Sequence, residues 1–299
     1  MEKRTIIIAV CFVGLMTVLT ILIPGLFDED SEQDENNASQ SQSLDVECTS
    51  SIDCPQVSIE SYCQNNSVYN KLHDYSCIEN ECVQKIGEPE LVETCSEKFE
   101  CENGACEPIS VSINSCGFYL NTEGGYFKLE KDITGNNLSE HCIIIMKNNV
   151  TFDCDGHSIK SDSAYSGVYS EENSYVTIKN CNIEMSEANG GYGIYLYNNA
   201  YSQVLDNILN SQYAGLYLNW ETNSIIKGNE MKLNNQTGLW IEKNSNSEIS
   251  NNIACDNDEQ DVKLIGASNL KGTGNKFGVV DQTSDGWPVL DIDYVNCTS

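Results

Sequence analysis

Five segments decide the fold when they are set one above another: V-T-I-K-N-C-N-I (176–183), V-L-D-N-I-L (204–209), I-K-G-N-E-M (226–231), I-S-N-N-I-A (249–254) and G-T-G-N-K-F (272–277). From Ile178 the shared form is apolar-x-x-Asn-x-apolar, with Gly opening the last copy. The Asn position is held by Cys181, Asn207, Asn229, Asn252 and Asn275, at spacings of 26, 22, 23 and 23 residues. A second motif keeps the same phase: G-V-Y-S (167), G-I-Y-L (193), G-L-Y-L (215), G-L-W-I (238) and D-V-K-L (261). A period near 23, with short apolar strands between Gly and Asn, signals a solenoid. No helical stripe lies between the strands and no leucine ladder is present, so strand-only coils fit better than leucine-rich repeats. An Asn at a fixed turn tolerates left-handed backbone, and stacked amides can bond from rung to rung. A ladder of Asn207, Asn229, Asn252 and Asn275 is therefore expected.

Alternation along G-I-Y-L turns Ile194 and Leu196 inward. The residue between them faces out: Tyr169, Tyr195, Tyr217, Trp240 and then Lys263 on successive rungs. The next outward column holds Glu171, Tyr197, Asn219 and Glu242. Aromatic rings flanked by carboxylates and amides suit a sugar chain. The candidate carbohydrate-binding residues are thus Tyr169, Tyr195, Tyr197, Tyr217, Trp240 and Glu242. Aromatic pairs also stabilise a sheet with no ligand at all, by about 0.2 to 1 kcal/mol each.

Upstream, V-T-F-D-C-D-G-H-S-I (150–159) gathers the residue types of a hydrolase or a metal site. Projected back by one 26-residue rung, Asp153 falls above Lys179 and can pair with it. Asp155 then falls above Cys181, Gly156 permits the turn, and His157 sits at a corner. Each residue has an architectural place, and no catalytic residue is assigned.

The chain has 299 residues, 45 acidic and 16 basic side chains, and a formal charge of −29. Nucleic-acid binding is excluded on that balance, because phosphate neutralisation needs Lys and Arg. Arg4 is the sole arginine. Residues 5–27 carry no charge and as a helix would span about 34 Å. Lys3 and Arg4 before them keep that end cytoplasmic. Residues 1–27 thus read as cytoplasmic tip and single-pass membrane anchor, with the bulk of the chain outside. A cleaved signal peptide is the alternative. Residues 28–47 read as an acidic, flexible linker.

Residues 48–107 hold Cys48, Cys54, Cys63, Cys77, Cys82, Cys95, Cys101 and Cys106. Two C-x4-C loops, C-I-E-N-E-C and C-E-N-G-A-C, suit tight hairpins. In an exported chain this is a disulfide module rather than a zinc knuckle, with its connectivity left open among 105 pairings. No metal or cofactor is expected. Three more pairs are expected: Cys116 with Cys142, covering the exposed N-terminal edge, Cys154 with Cys181 on adjacent rungs, and the remaining Cys255 with Cys297, pinning the tail to the last coils. Sequons begin at Asn37, Asn65, Asn137, Asn149, Asn235 and Asn296.

The repeats, with C-G-F-Y-L…D-I…C-I-I-I…V-T-F-D-C-D-G-H-S-I ahead of them, resemble the NosD-like carbohydrate-binding and sugar hydrolase repeat group. These are right-handed parallel β-helix proteins. The resemblance covers about 116–280 and extends to exported archaeal surface proteins with an N-terminal cysteine-rich module. It implies an all-β chain: a right-handed single-stranded parallel β-helix of about six coils over 108–299. A small disulfide-rich module and a transmembrane helix would precede it. The group includes lyases, hydrolases, adhesins and metal-delivery factors. A lyase would imply carboxylates binding calcium and an Arg or Lys base. A polygalacturonase would imply clustered aspartates with basic residues. The repeats show neither, and three histidines with five methionines give no copper-handling tract. The expectation is a membrane-anchored glycan binder or adhesin. The alternatives are a polysaccharide lyase or glycoside hydrolase, and a purely structural envelope component.

Overall fold

The computed structural model describes residues 7–12, 15–20, 43–186, 190–283 and 290–297. Two pieces of the apolar N-terminal segment, Ile7–Phe12 and Leu15–Thr20, pair as antiparallel strands where the sequence leads to a helix. The rest of 1–42 lies outside the described residues, and so does Asn37. Among the described residues no helix is long and apolar enough to cross a membrane.

The chain divides into two compact units, Met1–Ser61 with Asn70–Glu90, and Tyr62–Tyr69 with Leu91–Ser299. In the first, the C-I-E-N-E-C loop is a hairpin with Cys77 opposite Cys82. Its turn residues Glu79 and Asn80 both have φ above +50°, the type I′ geometry that matches strand twist. The facing cysteines do not bond each other: Cys77 joins Cys48 and Cys82 joins Cys54. These bridges, with Tyr75 against them, form the whole apolar cluster of this unit among the described residues. In the second unit Cys101 likewise faces Cys106 across a hairpin, yet Cys101 joins Cys63 and Cys106 joins Cys95.

From residue 110 the chain winds as a parallel β-helix with three faces. The first runs from Phe118–Leu120 through Val168–Glu171, Tyr192–Tyr197, Ala214–Asn219 and Thr237–Glu242 to Val280–Thr283. The second runs from Ser110–Ile113 through Thr177–Lys179 and Ile225–Lys227 to Leu270–Phe277, and the third from Ile133–Gly135 through Glu230–Lys232 to Ile253–Cys255. Eight strands stack on the first face, so seven coil steps replace the six read from the period. The end coils carry neither the Asn nor the G-x-aromatic motif, which is why the period passes over them.

Each short strand sends one or two apolar side chains inward, and these stack as columns. Ile178, Val204, Ile226 and Ile249 form one, while Ile194, Leu216, Leu239 and Val262 form another, all nearly inaccessible. Burial of such columns is the main stabilising term, at roughly 25 cal/mol per Å² of apolar surface. The motif glycines serve closeness rather than turning. A Cβ on Gly193, Gly215 or Gly238 would meet both the backbone of the adjoining rung and a corner Gln or Asn amide.

The corners are where the polar backbone is satisfied. Asn207, Asn229, Asn252 and Asn275 are buried and linked in series. The Asn207 amide nitrogens, backbone and side chain, donate to Asn229 Oδ1 at 3.0 and 2.9 Å. Asn229 repeats this onto Asn252, and Asn252 onto Asn275. The left-handed residue is not the ladder Asn but the one before it: Asn180, Asp206, Gly228, Asn251 and Gly274 all have positive φ. The ladder Asn is selected for its side-chain bonds, and its predecessor for the turn.

Two further ladders, unread in the sequence, hold the other corners. Asn173 donates to Asn199, and Asn199 to Glu221. Gln212 donates to Asn234, and Asn234 to Asn257. Glu221 is the exception among amides: it is fully buried and accepts from Asn199 and from Ser224 Oγ. Burial pushes its carboxyl pKa up, against the opposing hydrogen bonds from Asn199 and Ser224.

Candidate carbohydrate-binding face

The register of the first face places Tyr169, Tyr195, Tyr217, Trp240 and Lys263 directly opposite one another on successive rungs. Glu171, Tyr197, Asn219 and Glu242 align in the next outward column. Side chains that share a column at rung spacing must touch, and these do. Ring centroids are 5.3 Å apart for Tyr169–Tyr195, 4.8 Å for Tyr195–Tyr217 and 4.7 Å for Tyr217–Trp240. Lys263 Nζ closes one end, 4.2 Å from the Trp240 ring centre. At the other end the His141 ring lies 4.3 Å from Tyr169, nearly parallel. Burial lowers the His141 pKa, which favours the neutral ring in that stack. Tyr192 packs beside Tyr195 and Tyr217. His141 and Tyr192 lie outside the G-x-aromatic motif, so the motif does not show them.

This stacking changes what the column offers. Tyr195 and Tyr217 are parallel within 15°, so each covers a face of the other. Tyr217 is only 9% exposed. The interior rings therefore present edges and hydroxyls to solvent rather than open faces. Their polar ends are already engaged: Tyr169 Oη donates to Glu171 at 2.8 Å, Tyr217 Oη donates to Glu242 at 3.0 Å, and Asn219 Nδ2 donates to Tyr217 Oη at 3.0 Å. Burial and these carboxylates raise the phenol pKa values of Tyr169 and Tyr217, so both stay protonated donors. Tyr195, Tyr197, Trp240 and Glu242 remain half-buried along the rim.

The D-C-D-G-H stretch resolves into bonds that are all in use. Asp153 Oδ2 receives Tyr126 Oη at 2.6 Å and Lys179 Nζ at 3.0 Å, while its Oδ1 receives Asn180 Nδ2 and the Asp155 amide. Burial alone would raise its pKa, but the Tyr126, Asn180, Asp155 and Lys179 contacts together hold it at about 2. A carboxylate so acidic is a weak general base near neutrality. Asp155 does not sit above Cys181. The strands pair Asp153 with Lys179 but Ser158 with Asn182, so the turn at 154–157 holds two more residues than the next one. Asp155 is displaced outward onto Lys128, at 3.0 Å. His157 Nδ1 lies 3.4 Å from Asp132.

The structure joins Cys116 to Cys142, Cys154 to Cys181 and Cys255 to Cys297. The sulfurs of Cys48, Cys54 and Cys82 lie within 4.8 Å of one another. All three are consumed in disulfides, which leaves no thiolate for a metal.

A family model described as "Right handed beta helix region" matches residues 142–281, and the fold is a right-handed parallel β-helix. Similar solved structures include the A-module of a mannuronan C-5 epimerase from Azotobacter vinelandii, with TM-score 0.44 and 11% identity over 62% of this chain and 65% of that one. A periplasmic alginate epimerase gives TM-score 0.41 and 14% identity over 57% and 50% of the two chains. The catalytic domain of an α-1,3-glucanase in complex with nigerose gives TM-score 0.36 and 10% identity over 86% and 66%. The chain thus spans 65% and 50% of the first two. No curated protein matches the chain.

Proposed function

We propose that this is a single-pass surface protein whose β-helix stands outside the membrane and binds glycan without catalysis along the outer rim of its first face. The single observation that supports this reading is the in-register column of Tyr169, Tyr195, Tyr217 and Trp240, beside Glu171, Tyr197, Asn219 and Glu242. A sugar chain lying along the coil axis meets one aromatic edge and one hydroxyl, amide or carboxylate per rung. Sugar hydroxyls are donors and acceptors at once, so they suit this mixture. The charge of −29 disfavours polyanionic glycans and favours neutral ones. The saturated, strongly acidic Asp153 gives no support to a catalytic reading.

The test is a glycan array with the full chain, followed by the double substitution Tyr197→Ala and Trp240→Ala. Tyr217 is left intact because it is a packing residue. Affinity for the best neutral glycan should fall at least tenfold, about 1.4 kcal/mol, with the circular dichroism unchanged. Undiminished binding in a folded double variant removes this rim as the site. Release of reducing sugar from neutral or acidic polysaccharides would replace the binding role with an enzymatic one.

A further inference from the structure

A second aromatic element lies away from that rim, at the corner between the first and second faces. One residue per coil forms a column there: Asn149, Tyr175, Tyr201, Asn223, Asn246 and Asn269. All six have φ between 51° and 59°. The first five donate their backbone N–H to the following rung in the same way, Asn149 to Ser174, Tyr175 to Ala200, Tyr201 to Thr222, Asn223 to Ser245 and Asn246 to Ser268. Asn is at home in left-handed backbone, but a bulky tyrosine is an outlier there and persists where something compensates. Tyr175 and Tyr201 are also 55% and 46% exposed. Their rings are parallel within 6° and 4.9 Å apart. Tyr201 covers one face of Tyr175, and the opposite face is turned toward the rung of Asn149.

Asn149 is exposed, and of the four column asparagines it alone opens a sequon, N-V-T (149–151). An N-linked sugar on it would begin about one rung, ~4.8 Å, from the uncovered face of Tyr175. The apolar face of a pyranose stacks on such a ring, and the amide linkage holds it there with little further ordering. We infer that Asn149 carries an N-linked glycan whose first sugar packs on Tyr175, with Tyr201 backing the ring. The strained tyrosine pair is then a seat for the protein's own modification. This rests on the exported location proposed above and is independent of the first-face rim.

The experiment uses the full chain expressed in a secretory host that performs N-glycosylation. Peptide mapping reports the occupancy of Asn65, Asn137, Asn149 and Asn235. Thr151→Val, a change of similar shape on an outward strand position, abolishes the Asn149 sequon without altering Asn149. Tyr175→Asp places at that position a residue that tolerates left-handed backbone and, unlike Asn, opens no N-V-T sequon with Val176 and Thr177. With Tyr175 present, loss of the sequon should lower Tm by about 2 to 4 °C. In the Tyr175→Asp background the same loss should change Tm by less than about 1 °C. An unoccupied Asn149 beside occupied neighbours would overturn the proposal while leaving export intact. Equal Tm losses in both backgrounds would overturn the seat. An absence of glycan at every mapped sequon, together with free cysteines, would remove the exported location and the proposal with it.

Discussion

Residues 48–107 and the β-helix solve the same problem by opposite means. The cysteine-rich region has few large apolar side chains inside: Cys48, Cys54 and Cys82 with Tyr75 are its cluster in the first unit, while Ile52, Val57 and Ile59 stand exposed. A chain that short cannot bury enough surface, and covalent links restrict its unfolded state instead. Three of its four bridges join a strand to a loop and the fourth, Cys63–Cys101, joins two strands, across 11 to 38 residues. The β-helix holds an unbroken column of Ile, Leu and Val and ties its backbone with buried amides. Stability is thus bond by bond in one region and layer by layer in the other.

The largest effect that would test this contrast is reduction. Removing the four bridges should cost about 2 to 4 kcal/mol each and open residues 48–107 to limited proteolysis. A fragment containing residues 182–254, which no disulfide crosses internally, should persist with its β-sheet dichroism. Loss of both regions at one reductant concentration would end the distinction.

A smaller effect isolates one layer. Asn229→Ala strips the acceptor from both Asn207 nitrogens and the donor from Val204 O. The orphaned groups should lower stability by about 1 to 3 kcal/mol in chemical denaturation. Asn235 is exposed in the following loop, and Asn235→Ala should fall within about 0.5 kcal/mol of the parent. Equal losses would mean that the amide column carries no special weight.

The smallest effect sharpens the comparison by pH. Glu221 is a carboxyl where the corner ladder otherwise uses amides, and its folded pKa is raised. The unfolded chain releases that proton first as pH rises, so the folded state loses stability above the ordinary Glu range and regains it below. Glu221→Gln keeps the acceptor for Asn199 and removes the titration. The variant should melt above the parent at pH 7, and the gap should close near pH 4. A gap that is constant across this range would show that the carboxyl does not titrate there.

The fold was legible because one corner repeats one residue: Asn207, Asn229, Asn252 and Asn275 carry the period by themselves. The other corners were not, because Asn173, Asn199 and Glu221, or Gln212, Asn234 and Asn257, satisfy the same backbone with mixed side chains. The outward aromatic column could be placed from alternation alone. Its ring-on-ring closure could not, since His141 enters from another segment and Tyr192 stands just before the motif, on the strand of Tyr195. The longer turn at 154–157 escaped because a fixed 26-residue step assumes equal corners. The Asn149 to Asn269 column was hidden by its two tyrosines, which interrupt the residue type while keeping the backbone shape.

The serial corner ladders also make the coil a unit of inheritance. Glu230 and Ile253 are register partners, as are Met231 and Ala254. A genetic deletion of residues 230–252 would set Ile253 after Asn229, where Glu230 now stands, and hand each later residue the place of its partner one rung earlier. Asn229 would then meet Asn275, and Gln212 would meet Asn257. A deletion that is not a whole number of rungs would put the corner ladders out of register. The length of the β-helix is therefore set in whole rungs of about 4.8 Å, and a change that keeps the ladders in register alters the reach of the coil in discrete increments.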